Sequence, residues 1–159
     1  MRGPFALALL IALGAVAVPV SDAGAAGATV YRISATMGPR QVVTVTNKPW
    51  AVPSSYAKAT GRFTGRFNPS TGALTWRVTF SDLAHSTLRI VDIHYGAARQ
   101  FGAFLARACA GCRSGQSGTV KLKASARTAI ASGKAWVTVI TEQYPNGVIR
   151  GQIKANRIR

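Results

Sequence analysis

The sequence predicts an all-β protein, an antiparallel β-sandwich, on three observations. Apolar and polar residues alternate with period two in several segments. Pro, Gly and Asn cluster at short intervals between them, and no long stretch of period 3.6 appears beyond the first 25 residues. Many short strands with regular turn signals fit a sandwich or a closed barrel, here of Greek-key, immunoglobulin-like or dismutase-like form.

Length and charge narrow the class. A chain of 159 residues is enough for one domain. Hydrophobic residues make up 48% of it and charged residues 15%, so the chain folds and is not a disordered basic tail. Lys and Arg number 20 against 4 Asp and Glu, a net charge of +16. Met1–Pro4, the apolar run from Phe5 to Val20 and the small residues from Ser21 to Ala28 read as the three parts of a secretory signal peptide. The apolar run is short for a membrane span and contains Pro19. A retained anchor is the competing reading. Cleavage after Ala25 or Ala28 removes one Arg and one Asp, so the net charge stays at +16 and Asp82, Asp92 and Glu142 are the only acids left. Three acids, two His and two Cys leave little for carboxylate-pair catalysis or a metal centre. The expected product is an exported protein, secreted or periplasmic, without a membrane span after cleavage.

The elements follow in order. Residues 26–56 supply a strand at 29–37, then a Pro-containing loop over 38–56 with room for a short strand at 41–46. The core runs from 57 to 155. In Arg62-Phe63-Thr64-Gly65-Arg66-Phe67 and Thr75-Trp76-Arg77-Val78-Thr79-Phe80 the apolar residues share one face, and Asn68-Pro69-Ser70-Thr71-Gly72 is turn chemistry. With Pro69–Gly72 as the loop, Phe67 pairs with Leu74, Phe63 with Val78, and Gly65 lies opposite Trp76, whose indole can cover the bare glycine. Further strands are expected at 87–95, 101–107, 118–124, 134–142 and 148–155. Tyr144-Pro145-Asn146-Gly147 reads as the turn of a final hairpin, and Ser125–Ser132 as one short helical turn ended by Gly133. Residues 156–159 read as a basic tail.

Cys109-Ala110-Gly111-Cys112 in an oxidising compartment is most simply a local disulfide. A redox pair would need a helix start after it, and Arg113–Gly118 reads as loop. No second Cys or His pair stands at metal-ligand spacing.

Three stretches together resemble a CHRD domain, the module named after chordin. Ala59–Trp76 is similar to its opening, and Ile93-His94-Tyr95-Gly96 to its Ile-His-Gly-Pro motif. Ser132–Thr141 and Tyr144–Ile153 are similar to its close, where Pro-Asn-Gly-x-Ile-Arg-Gly-Gln is the most specific piece. The resemblance spans roughly 57–153 and marks His94, Arg150, Gly151 and Gln152 as motif residues. It implies an extracellular β-sandwich. In chordin such domains belong to a protein that binds bone-morphogenetic-protein ligands. Ile140 stands where the family often has His, and Val148 where it often has Glu, so His94 and Arg150 lack their usual neighbours.

His94 can be a metal ligand, a base or a hydrogen-bonded structural residue, and isolated histidines are usually the last. Asp92, on the same strand face, can orient His94 or neutralise an Arg such as Arg150. No nucleophile elbow, phosphate loop or His-Glu-x-x-His motif is present. No catalytic residue, metal or cofactor is therefore assigned. The excess of cations favours anionic partners: acidic glycans, lipid surfaces or protein surfaces, with Arg62, Arg66, Arg77, Lys121 and Lys123 as anion-binding candidates. Nucleic acid is disfavoured by export and by aromatics that face inward. The reading is an exported, non-catalytic CHRD-type binding module of the cell envelope or extracellular space. The alternatives are a metal-dependent redox enzyme on a dismutase-like sandwich, using His94 and one further ligand, and a purely structural matrix protein.

Overall fold

The computed structural model describes residues 29–83, 86 and 89–158. Two antiparallel sheets pack face to face, as the alternation predicts. The first has five strands: β1 (Val30–Met37), β2 (Thr60–Phe67), β3 (Ala73–Ser81), β6 (Ser117–Lys121) and β9 (Lys154–Ile158), in the order β6-β3-β2-β1-β9. The second has four: β4 (Arg89–Tyr95), β5 (Phe104–Ala110), β7 (Ala135–Thr141) and β8 (Tyr144–Gln152), in the order β5-β4-β7-β8. The chain changes sheet after Ile153, where β8 ends and β9 begins beside β1. The signal-peptide reading and His85 lie outside the described residues.

The β2–β3 hairpin has the expected register: Phe67 opposite Leu74, Gly65 opposite Trp76, Phe63 opposite Val78. Asn68 builds the turn, its Oδ1 accepting from Ser70 N at 2.9 Å and Thr71 N at 3.2 Å, and Gly72 takes φ +76°. Phe63, Phe67, Leu74 and Val78 are fully buried, and each such side chain contributes about 1.5–3 kcal/mol. One detail differs. The indole of Trp76 lies over Gly118 of β6, where an added Cβ would come 2.6 Å from the ring, and not over Gly65. At Gly65 an added Cβ would strike the carbonyl oxygen of Thr75. Ile33, Ala35 and Met37 of β1 face Val91, Ile93, Val137, Val139 and Ile149 of the second sheet across the core.

The segment expected to form one helical turn is the two-turn helix α1 (Ala124–Ala131), which buries Ala126, Ala129 and Ile130. Gly133 at φ +72° closes it: Gly133 N donates to Ile130 O and Lys134 N to Ala129 O. Four expectations need correction. Residues 41–46 make only the isolated bridge Val43–Pro49. Strand β5 begins three residues later than expected because Gly102 packs against the carbonyl of Tyr95, leaving no room for a side chain there. The last hairpin turns at Glu142-Gln143, not at 144–147. Tyr144 pairs with Thr141 and packs edge-on against Trp50 and Tyr56, so the Pro-Asn-Gly segment becomes a bulge inside β8, with Gly147 at φ +97°. Finally, Asn156–Ile158 belong to β9 and are no tail.

Candidate functional site

The outer face of the five-stranded sheet carries cations and hydroxyls. Arg62 and Arg66 on β2, Arg77 on β3 and Lys121 on β6 point away from the core and are exposed. Lys123 does not join them. Leu122 turns into the core, its N–H bonded to Gly72 O at 2.8 Å, and Lys123 becomes the N-cap of α1. Two cations not singled out in the sequence complete the face. Arg32 of β1 stands directly opposite Arg66, and Lys154 of β9 opposite Ser34. The alternation Tyr31-Arg32-Ile33-Ser34 carried that signal, but only the strand order puts it next to β2. None of the five strands contains an acidic residue. Like charges held opposite one another are unfavourable in the free protein, and an anion between them relieves that cost.

The outer face of the four-stranded sheet also carries an arginine, but over β4, β7 and β8 it is covered. The 96–103 connection folds back over it. His94 stacks on Trp136 with ring centroids 4.3 Å apart and planes 8° from parallel, and meets the edge of Phe104. The Arg150 guanidinium lies 3.8 Å from the Trp136 ring centroid, a cation–π contact strengthened by loss of water. Only 2% of Arg150 is exposed; its Nη2 donates to Ala97 O at 3.1 Å and Gln100 O at 2.8 Å. Trp136 Nε1 donates to Tyr95 O, and Gln152 Nε2 to Gly96 O and Gly133 O. Burial pulls the Arg150 pKa down to about 10.

His94 Nδ1 lies 3.2 Å from Gly102 O, which can only accept, so the proton sits on Nδ1. Nε2 is buried and has no hydrogen-bond partner. Burial lowers the His94 pKa, against smaller opposing contributions from Gly102 O and Asp92, with Arg150 adding slightly to the lowering. Asp92 neither orients His94 nor neutralises Arg150. Its buried carboxylate takes a two-pronged pair from Arg107 of β5, with Nε–Oδ1 2.9 Å and Nη2–Oδ2 3.1 Å, and that pair raises the Arg107 pKa. Sequence reasoning missed Arg107; Ala106-Arg107-Ala108 alternates, but which strand β5 meets is not written locally. Gly151 serves by having no side chain, since a Cβ there would strike Thr36 O of β1. His94, Trp136, Arg150 and Gln152 fix the 96–103 connection from below, from Tyr95 O to Gly102 O.

Cys109 and Cys112 form the expected disulfide at the end of β5. Among the described residues no three His, Cys, Asp or Glu side chains gather as a metal-binding group, and no helix is long and apolar enough to cross a membrane.

No curated protein and no solved structure matches the chain. The profile of the CHRD domain matches residues 33–153. It begins well before residue 57 and takes in Ile33–Met37 of β1, the strand that pairs with both β2 and β9. The match covers the sandwich core, the layered His94–Trp136–Arg150 face and the closing Arg150-Gly151-Gln152 motif, and on it the chain belongs to the CHRD domain family.

Proposed function

We propose that this CHRD domain is an exported, non-catalytic binding module that engages anionic polymers, acidic glycans foremost, through the outer face of its five-stranded sheet. Family membership supports a binding role in general terms. The observation that carries the anionic partner is the cationic face itself: Arg32, Arg62, Arg66, Arg77, Lys121 and Lys154 on adjacent strands that hold no acid. A flat array of this kind reads charge density, not polymer sequence. Affinity therefore falls steeply between about 50 and 200 mM salt, as cations displaced from the polymer return to it.

The test is a salt titration of heparin binding by the wild type beside R62Q/R66Q/R77Q. None of the three side chains is in the core, so the variant keeps its fold. Binding at low salt that is weakened at least tenfold in the variant, about 1.4 kcal/mol, supports the reading. Absence of binding by the wild type, or equal binding by the variant, leaves the charge a solubilising feature only.

A further inference from the structure

A second site lies where the two sheets meet at one end. The last residues of β3 with Asp82 and Leu83, the start of β4 and the connection from β5 to β6 line an open cleft of about 500 Å³, floored in part by Phe80 and Leu83, a volume within the roughly 300–1,000 Å³ of small-molecule sites. Arg89 and Arg113 supply two guanidiniums to its wall, and Ser81, Asp82 and Ser114 supply hydroxyls and a carboxylate. A shallower recess lined by Thr60, Arg62 and Thr79 adjoins it through Phe80, Ser81 and Ser114.

The cleft is held in shape. Ser114 Oγ accepts from Phe80 N at 2.8 Å, which leaves its own proton free to donate. Cys112, buried and disulfide-bonded, donates its N–H to Arg89 O at 2.8 Å. Gly115 N donates to Val78 O and Val78 N to Gln116 O, so Arg113 and Ser114 are fixed from both sides. The guanidinium of Arg89 lies 5.7 Å from the Phe80 ring centroid, and its Nε is buried without a hydrogen-bond partner. Among the described residues no salt bridge joins Asp82 to either arginine.

We infer that this cleft binds one acidic sugar residue, its carboxylate or sulfate taken by Arg89 and Arg113 and its hydroxyls by Asp82, Ser81 and Ser114. The mixed lining favours a ligand that carries both an anionic group and hydroxyls. A bare anion leaves the Asp82 carboxylate and the two serines without a hydroxylated partner, and a neutral sugar offers the guanidiniums only neutral acceptors in place of a stronger charge-assisted pair. A hydroxylated ring with an anionic substituent uses every group. The inference rests on the acidic-glycan reading above, but on different residues, and gives the flat face an end-group or branch specificity that charge density alone cannot supply.

The experiment is calorimetric titration of the protein purified after export, at low salt, with a hyaluronan tetrasaccharide, its carboxyl-reduced neutral form, and sodium sulfate. The expected results are binding of the acidic tetrasaccharide and roughly tenfold weaker binding of the neutral form, the loss of a charge-assisted pair. R113Q, at an exposed position that leaves the fold intact, weakens the tetrasaccharide by about fivefold or more, and D82N weakens it without weakening sulfate. Asn tolerates the backbone of position 82, where φ is +56°. R32Q/R66Q, which touches only the flat face, leaves tetrasaccharide binding unchanged while lowering heparin binding, so failure of one site is distinguishable from failure of the other. Undetectable tetrasaccharide binding, wild-type binding by R113Q, or sulfate binding as tight as the saccharide overturns the inference.

Discussion

The two outward faces of this sandwich both carry arginine and use it to opposite ends. On the five-stranded sheet Arg32 and Arg66 sit across from one another in water with no acid in any strand. On the four-stranded sheet Arg150 points outward by the same alternation, yet is 2% exposed, with carbonyls on one nitrogen and an indole on its face. Alternation settles which side of a sheet a residue occupies. Whether that side is wet depends on what the chain lays over it, here the connection at 96–103. An arginine under such a cover acts as a structural donor; an arginine without one is available to a ligand.

The contrast can be broken most forcefully at its covered side. Trp136→Ala removes the ring that supports both His94 and Arg150, and a loss of about 3–5 kcal/mol in chemical denaturation is expected. Arg150→Gln strips charged donors from two loop carbonyls, for a loss of about 2–3 kcal/mol in the same measurement. Reducing Cys109–Cys112 costs about 2 kcal/mol by the chain-entropy estimate for so short a loop, so circular dichroism in reductant should still report a folded sandwich.

A smaller effect comes from pH. His94 has a folded pKa below its ordinary 6.5, so below that pH the unfolded chain binds more protons than the folded one. Stability is full above about pH 6.5 and declines as pH falls from there toward the lowered value. His94→Gln should flatten that part of the melting-temperature profile; an unchanged slope would assign it to other groups. Smallest of all is Arg66→Gln on the open face, where a change within about 0.5 kcal/mol is expected, in the stabilising direction if relief from Arg32 outweighs the lost packing. An Arg66→Gln loss as large as that of Arg150→Gln would erase the distinction between the faces.

What could be read from the sequence was what is local. The β2–β3 register follows from one turn and two alternating segments, because a slip of one residue would put Phe63 and Phe67 in water. The cationic side chains of β2 and β3 follow for the same reason. The Arg107–Asp92 pair does not, since β5 meets β4 only after a connection whose path depends on Gly102 packing against Tyr95. Pro145-Asn146-Gly147 was a true signal of a backbone kink, but the contacts of Tyr144 with Trp50 and Tyr56 turn that kink into a bulge. Likewise no pattern within β7 tells that Trp136 will be buried outside the core.

The crossing at Ile153 also sets the order in which the molecule can be completed. Strand β1, formed early in the chain, takes as its outer neighbour the last described strand, with Val30 opposite Ile158. Until those final residues are available, one edge of β1 presents unpaired backbone groups to solvent, the kind of edge that recruits other chains. Pairings this distant in sequence are slow, because loop-closure entropy is lost before the contact returns anything. A chain shortened after Ile153 would keep most of its core and move the open edge of the sheet from the short β9, with its Lys154 and Arg157, to the longer β1. Its first symptom would be self-association, not unfolding.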